Sequence, residues 1–271
     1  MDLQPILVVE LILLGLVTGF LAGLLGIGGG MLMVPFVVIV LGHRGVEPNL
    51  AFKMAIATSM ATIVFTSVSS VRAHHRRGAV RWDLVRGLAP GIVVGGAIAS
   101  LGVFSFVKGA WLGLFFAAFV TFSATQMFID KKPKPTRQVP GTAGLVGAGG
   151  VIGFLSGLVG AGGAFVSVPF MTWCNVAIHN AVATSAALGF PISVANVIGY
   201  VISGRELAGR PPYSLGYVWL PALLVIASAS VLTAPLGAKA AHTLPIAQLR
   251  RVFASVLYLL AAYMLYKAVR A

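Results

Sequence analysis

The chain alternates long apolar stretches with short loops that hold most of its charged residues. The eight apolar stretches lie near residues 5–41, 48–71, 84–107, 109–129, 141–174, 178–203, 215–238 and 246–268. They are longer and more continuous than the strands of a membrane barrel, which alternate over about 10 residues. Only helices and closed barrels satisfy their backbone in lipid. The pattern therefore predicts an all-α polytopic membrane protein.

Composition supports this prediction and excludes a soluble globular domain. Hydrophobic residues make up 58% of the 271 residues and charged residues only 9%, against roughly 25% charged in a typical soluble domain. The net charge is +13, but the basic residues lie in loops and at stretch ends, without interleaved aromatic residues. This placement indicates orientation in a lipid bilayer rather than nucleic-acid binding.

The ends of the stretches carry the signals of membrane orientation. The most basic loops are residues 72–86 and 130–140, and the positive-inside rule places both in the cytoplasm. Tryptophans near stretch ends predict an interfacial belt at Trp82, Trp111, Trp173 and Trp219. The Pro-rich linker 130–140 divides the chain into an N-terminal transmembrane repeat, residues 1–129, and a C-terminal transmembrane repeat, residues 141–271.

An internal duplication supports this division. Gly19–Phe36 aligns without gaps on Gly153–Phe170, with 11 of 18 positions identical. Further on, Lys53–Ser59 aligns on His179–Ser185, which makes Lys53 equivalent to His179. The sequence thus predicts two homologous repeats of four hydrophobic segments each.

Glycines at four-residue spacing form the first feature shared by the two copies. They are Gly15, Gly19 and Gly23 in the first copy and Gly149, Gly153 and Gly157 in the second. This spacing puts small residues on one helix face, where neighbouring backbones can approach closely. We expect these glycines to pack helices together.

A denser glycine run is the second shared feature. Residues 26–30 (GIGGG) match residues 160–164 (GAGGA), and a proline follows each run, Pro35 or Pro169. In a helix each Gly costs roughly 1 kcal/mol and Pro about 3 kcal/mol relative to Ala. We therefore predict that the first segment of each repeat is broken near mid-membrane. A kink that only relieves packing is the alternative, but paired breaks at corresponding positions favour a binding site between repeats.

Candidate ligands for a small anion surround these breaks. Helix N-termini and glycine amides attract anions, and hydroxyl, amide and cationic side chains would complete the shell. The substrate-binding candidates are Gly28, Gly29, Gly162, Gly163, Lys53, His179, Thr58, Ser59, Thr184, Ser185 and Asn196. The alternatives are that Lys53 extends to the membrane interface and that the hydroxyls bond the preceding helical turn.

These residues resemble the TauE/SafE family of membrane permeases, a group of sulfite-exporter-like anion transporters. The resemblance covers nearly the whole chain and rests on Gly23–Pro35 and Gly157–Pro169, on Ala57–Ser59 and Ala183–Ser185, and on the basic linker. It implies export of sulfite, sulfoacetate or another organosulfonate across the inner membrane. Gly30 of the first copy becomes Ala164 in the second, so the third glycine cannot act symmetrically.

The function we expect is that of a secondary transporter, an exporter that works by alternating access at the interface of the two repeats. A passive anion channel and a transporter of small carboxylates are the alternatives. The sequence shows no paired carboxylates and no His or Cys–His cluster, so we expect neither an enzyme nor a cofactor or metal site. The expected location is the cell inner (plasma) membrane, as a multi-pass protein whose oligomeric state is open.

Proton coupling has two candidates, and an anion driven by the membrane potential is the alternative. Glu10 is the one acidic residue inside an apolar stretch, and intramembrane carboxylates are often functional. It lies close to the start of its stretch, where an ordinary solvated position is equally compatible. His179 could carry a proton because an unperturbed imidazole titrates near 6.5.

Topology has two solutions that charge counting does not separate. If every stretch crosses once, the repeats are parallel and 13 of the 19 Lys and Arg residues are cytoplasmic. If the long first stretch of each repeat is a re-entrant hairpin, the repeats are inverted and 12 of 19 are cytoplasmic. Broken helices usually accompany inverted repeats, so both arrangements stay open.

Overall fold

The computed structural model describes residues 5–26, 29–129, 137–241 and 246–270, without the side chains of residues 246–250. The described part of the chain forms ten helices and one short antiparallel hairpin, Ser214–Leu215 with Val218–Trp219. The helices are α1 (Pro5–Leu25), α2 (Gly30–His43), α3 (Pro48–His75), α4 (Trp82–Phe106), α5 (Gly109–Ile129), α6 (Thr142–Val159), α7 (Ala164–Trp173), α8 (Ile178–Ser203), α9 (Leu220–Ala240) and α10 (Ile246–Val269). Six residues of α4, Ile98–Val103, are π-helical.

The predicted all-α polytopic class is confirmed. Among the described helices, eight are long and apolar enough to cross a membrane, whereas α2 and α7 have only 14 and 10 residues. Residues 130–136 of the predicted basic linker lie outside the described residues. Residues 137–140 continue into α6 without forming a helix of their own.

Both predicted helix breaks are present. The chain leaves α1 after Leu25 and starts α2 at Gly30, and it leaves α6 after Val159 and starts α7 at Ala164. Gly26 and Gly29 have φ of 69° and 74°, and the aligned Gly160 and Gly163 have φ of 74° and 80°. This left-handed backbone is strained for residues with a Cβ. The glycine run therefore turns the chain sharply rather than merely kinking it.

Each short helix runs back along the helix before it. Ile6 and Leu7 at the start of α1 line one groove together with Val40 and His43 at the end of α2. Likewise, the Arg137 N–H, just before α6, donates to the carbonyl of Trp173 at the end of α7. Each broken segment therefore returns to the end of the molecule at which it began.

The two central helices, α3 and α8, are the most buried spans and run antiparallel. Near the start of α8, the Asn180 amide donates to the Ala79 carbonyl in the loop that follows α3 (3.0 Å). In the first half of α3, the Thr58 hydroxyl accepts the backbone N–H of Trp219. Two residues before Trp219, the backbone N–H of Tyr217 donates to the carbonyl of Tyr200, near the end of α8. The breaks lie against the middle of this helix pair.

The four-residue glycine spacing packs helices, as predicted. Gly19 of α1 contacts the backbone of Ser230 in α9, and Gly153 of α6 contacts the backbone of Ile92 in α4; a Cβ at either glycine would overlap a carbonyl oxygen. In both cases the partner helix belongs to the other half of the chain. The two halves are therefore interleaved rather than packed as separate bodies.

Of the four tryptophans predicted to form an interfacial belt, three are exposed and one is buried, and the position of the exposed three at the interface stays a prediction. Trp82, Trp111 and Trp173 are 41%, 65% and 39% exposed, whereas Trp219 is fully buried. Trp219 is the residue before α9. Its backbone N–H donates to the Thr58 hydroxyl, and the Arg44 guanidinium lies 5.2 Å from the centroid of its ring. Its position near a hydrophobic boundary in sequence did not reveal that the hairpin folds inward.

Gly153→Ala should destabilise the protein because the new methyl group would collide with the Ile92 carbonyl in α4. Overpacking of this kind costs about 1–3 kcal/mol. Thermal unfolding of the detergent-solubilised protein measures the effect. Gly147→Ala is the matched control on α6, because no atom lies within 4 Å of the new Cβ there. Equal melting temperatures for the two variants would contradict the close packing of α4 and α6.

Candidate functional site

The two helix breaks touch each other in the interior. Ser59 of α3 donates its hydroxyl to the Gly160 carbonyl at 3.0 Å, and the Gly30 carbonyl lies 3.4 Å from the same oxygen. A Cβ at Gly30 would overlap the Gly160 carbonyl oxygen. Glycine is thus needed at position 30, because the second glycine run passes directly against it. Ala164, at the aligned position, has no such role.

A corresponding contact links α8 to the first break. Ser185 donates its hydroxyl to the Gly26 carbonyl at 3.3 Å and accepts a hydrogen bond from Ser167 of α7 at 2.9 Å. Ser167 was not among the predicted site residues. Its signal in the sequence is a polar residue where the aligned position of the first copy has Met33.

A second pair of side chains holds the last turns of α1 and α6. The His74 Nε2 lies 3.0 Å from the Gly23 carbonyl oxygen, and the Tyr200 hydroxyl donates to the Gly157 carbonyl. A carbonyl oxygen can only accept, so His74 carries a proton on Nε2. Sequence reasoning missed both residues. Extending the alignment would have paired them, because each lies 21 residues after Lys53 or His179 (53 to 74, 179 to 200).

These four contacts have a common physical cause. The last four carbonyls of a helix have no partner within the helix, and at membrane depth no water replaces one. An unpaired buried polar group costs about 1–3 kcal/mol on the scale of protein mutants. The donors Ser59, Ser185, His74 and Tyr200 are each at most 1% exposed and satisfy carbonyls at the ends of α1 and α6.

The predicted hydroxyls Thr58 and Thr184 hold helix starts instead. The Thr58 hydroxyl accepts the backbone N–H of Trp219, and the Thr184 hydroxyl accepts the backbone N–H of Arg81, both at 3.0 Å. Trp219 and Arg81 are the residues that precede α9 and α4. Each threonine therefore joins a central helix to a helix start, rather than bonding only its own preceding turn.

The structure does not bring Lys53 and His179 together. The Lys53 ammonium donates to the Ser105 carbonyl in the last turn of α4 (3.0 Å) and lies 5.8 Å and 5.7 Å from the ring centroids of Phe104 and Tyr217. Burial raises the pKa of Tyr217, so this ring is neutral. His179 is exposed near the start of α8. Equivalent positions on antiparallel helices fall at opposite ends of the molecule.

The remaining predicted binding residues lie around the breaks. Gly29 and Gly163 precede α2 and α7, and Gly162 lines a narrow cavity beside the first break. Asn196 is fully buried between Gly96 and Gly157; its amide donates to the Ile192 carbonyl, and its Oδ1 has no partner among the described residues. Gly28 lies outside the described residues.

The first coupling candidate, Glu10, is exposed. It lines the groove between α1 and α2 together with His43 and Arg44, at the end of the molecule where α1 begins. It is therefore remote from the break in α1, which lies some 15 residues further along that helix, about 22 Å at 1.5 Å per residue.

The chemistry available at the breaks is that of helix ends and hydroxyl groups. The helices α2 and α7 both start there, and a helix N-terminus carries roughly half a positive charge. Among the described residues no group of three His, Cys, Asp or Glu side chains could hold a metal ion. The arrangement suits reversible binding of an anion.

Ser185→Ala should destabilise the protein by about 1–3 kcal/mol, because it leaves the Gly26 carbonyl buried without its donor. Hydrogen–deuterium exchange of the peptide that ends α1 should increase at the same time. Ser193→Ala is the matched control on α8, since that buried hydroxyl bonds only the Phe190 carbonyl of its own helix. If both variants exchange alike at the end of α1, Ser185 does not hold the break.

Comparison with known proteins agrees with this architecture. The chain matches the family described as Sulfite exporter TauE/SafE over residues 11–264. It is 36% identical to a probable membrane transporter protein of Haemophilus influenzae, covering 94% of this chain and 97% of that protein. A probable membrane transporter protein of Methanocaldococcus jannaschii is 27% identical, with 94% of each chain covered.

A third relative, the probable membrane transporter protein YdhB of Bacillus subtilis, is 26% identical, covering 73% of this chain and 79% of that protein. No solved structure matches the chain. The family match extends from the first half of α1 into the last turns of α10 and includes both breaks. The chain belongs to the Sulfite exporter TauE/SafE family and is a multi-pass membrane transporter.

Proposed function

We propose that this transporter exports a small sulfur-containing anion, such as sulfite, sulfoacetate or another organosulfonate, across the plasma membrane. Transport proceeds by alternating access at the interface of two repeats. The observation that carries the proposal is the meeting of the two breaks, where Gly30 and Ser59 contact Gly160. The family description supports the sulfur anion as substrate.

Paired contacts support a two-repeat organisation, with repeats at 1–129 and 141–271. Ser59 and Ser185 are aligned in sequence, and each bonds a carbonyl at the break of the other half. His74 and Tyr200 are aligned and bond the aligned Gly23 and Gly157. The antiparallel course of α3 and α8, with the returning short helices, favours inverted over parallel repeats.

Charge distribution supports the orientation. Counted on the sequence, the inverted arrangement assigns 12 of the 19 Lys and Arg residues to the side of the membrane at which α3 ends and α4 begins. The positive-inside rule makes this end cytoplasmic. The groove that contains Glu10, His43 and Arg44 then opens to the opposite side.

The breaks supply the features that an anion site needs. The starts of α2 and α7 provide backbone N–H groups and positive dipole ends at membrane depth. Glycine at 29 and 163 lets a ligand approach the backbone without a Cβ in the way. Hydroxyl groups are provided by Ser59, Ser185 and Ser167. Each can donate its hydrogen bond to an oxygen of the bound anion in place of its present partner.

The interleaved contacts support alternating access. Each broken segment packs on a helix of the other half through glycines, and small residues at an interface allow helices to slide without losing large side-chain contacts. A displacement of one half relative to the other would separate Gly30 from Gly160. It would also change the side of the membrane to which the site is open.

Counterflow in proteoliposomes tests this function. Vesicles loaded with sulfite or sulfoacetate should accumulate labelled sulfoacetate, and uptake should saturate with concentration. Gly162→Leu should lower the initial rate at least tenfold, because the side chain enters the cavity beside the first break. Gly147→Leu, on the exposed face of α6, should retain the wild-type rate and the same reconstitution yield.

Three results would contradict the proposal. Equal rates for Gly162→Leu and wild type would remove the site from the breaks. Non-saturating flux with currents far above transporter turnover would indicate a channel. Counterflow with short carboxylates but with no sulfur anion would assign a different substrate to the same architecture.

A further inference from the structure

His74 is a titratable side chain enclosed in the interior of the protein. It lies in the last turn of α3, is 1% exposed, and bonds the Gly23 carbonyl near the end of α1. Its neighbours in sequence, Arg72, His75 and Arg76, are all exposed. A titratable side chain is rarely buried to this extent, because burial penalises its charged form unless the group is paired. The carbonyl needs a donor, but it does not need a titratable one.

The other half of the chain shows that a non-titrating donor performs the same structural task. Tyr200 is aligned with His74 and donates to Gly157, which is aligned with Gly23. An unperturbed phenol titrates near 10 and an imidazole near 6.5. The two contacts therefore differ in that only the histidine can change its charge near neutral pH.

A small cavity lies one helical turn before His74, at the level of Ser70 in α3. Ser70, one turn before His74, lines it together with Thr66, Ser67 and Gly26. The Ser70 hydroxyl is buried and has no partner among the described residues. Asn196 stands at the aligned position in the second half, where its larger side chain fills the space against Gly157. The cavity measures about 10 Å³, room for about one water molecule, which could bond the Ser70 hydroxyl.

This cavity lies between His74 and the break. Gly26 and Gly162, one from each glycine run, form part of its wall. Thr66 shares a hydrogen bond of 2.7 Å with Ser230 of α9 at the same level. Water in the cavity would place a proton carrier between the imidazole and the site where the two breaks meet.

Few other titratable groups lie on the described helices packed around α3. Glu10 of α1 and His43 of α2 line the groove at the opposite end of the molecule. Lys239 of α9 and His179 of α8 are exposed at the end where α3 terminates. Tyr200 of α8 bonds Gly157, and α5 and α6 carry no titratable side chain.

We propose that His74 is a proton-binding site at the end of α1 and that its protonation couples proton movement to anion transport; the coupling rests on the proposed function. In the neutral ring Nε2 carries the proton, so the second proton binds Nδ1 while Nε2 still donates to Gly23. The charged ring then lies at the C-terminus of α1, where the helix dipole favours a cation. The proton leaves by the same nitrogen when the break rearranges.

His74→Gln tests the proposal because a glutamine amide can still donate to the Gly23 carbonyl but does not titrate. His74→Tyr, which copies the second half, is the second variant in case the first does not fold. His75→Gln, at the exposed neighbouring histidine, is the matched control. Proteoliposomes containing a pH-sensitive dye report proton movement driven by a gradient of sulfoacetate, which stays ionised between about pH 6 and 8.

We expect wild type and His75→Gln to move protons with sulfoacetate and His74→Gln to lose proton movement while keeping sulfoacetate counterflow. Proton movement equal to wild type in His74→Gln, or sulfoacetate flux without proton movement in wild type, overturns the coupling. A histidine with only a structural role would give the first of these results and leave the pH profile of the variant unchanged, whereas the second would show that transport is not coupled to protons.

A measurement without transport separates this inference from the proposed function. The melting temperature of wild type should rise relative to that of His74→Gln as the pH falls from about 8 to 5.5, because the dipole at the end of α1 favours the charged ring in the folded protein over the unfolded chain. A relative fall, which a ring buried in its neutral form would give, contradicts the proposal. The difference between wild type and His75→Gln serves as reference. If the difference in melting temperature between wild type and His74→Gln stays constant with pH, the proton site is overturned even if sulfoacetate is transported. If no anion is transported, the proposed function is overturned even if this difference varies with pH.

Discussion

Backbone carbonyls that lose their helical partner inside a membrane must receive a hydrogen bond from elsewhere in the protein. Two helices of this transporter end in the interior, and this requirement shapes everything around them. The donors come from the central helices α3 and α8, which cross beside both breaks. Ser59 and Ser185 each reach a carbonyl on the other half of the chain. The breaks are therefore stable only where the two halves are assembled.

The glycines complete this assembly in two distinct ways. Those at four-residue spacing remove side chains so that α1 and α6 can pack on the backbones of α9 and α4. Those in the dense runs supply left-handed backbone and space where the runs touch. Helix packing through small residues and single hydrogen bonds to helix ends are both weak enough to break and to be replaced by other contacts. Contacts of this kind are compatible with the proposed alternating access, in which the two halves would occupy two arrangements.

Differences between the aligned positions are as informative as the similarities. His74 stands opposite Tyr200, Ser70 opposite Asn196, and Gly30 opposite Ala164. The second half has the larger side chains at these positions, whereas the first half has an imidazole and, at Ser70, a small cavity whose wall is shared by both halves. A symmetric frame thus holds an asymmetric interior.

The sequence by itself determined the membrane class, the number of long apolar segments, the two helix breaks and the glycine faces, because each depends on local composition and spacing. It also identified Ser59 and Ser185 through the duplication. It did not determine that Thr58 and Thr184 hold helix starts, that Lys53 bonds the end of α4, or that Trp219 is buried. Those outcomes depend on the antiparallel course of α3 and α8, which fixes the partner that each side chain meets. The roles of His74 and Tyr200 likewise came from the tertiary structure, since only there do the carbonyls they bond lie within reach.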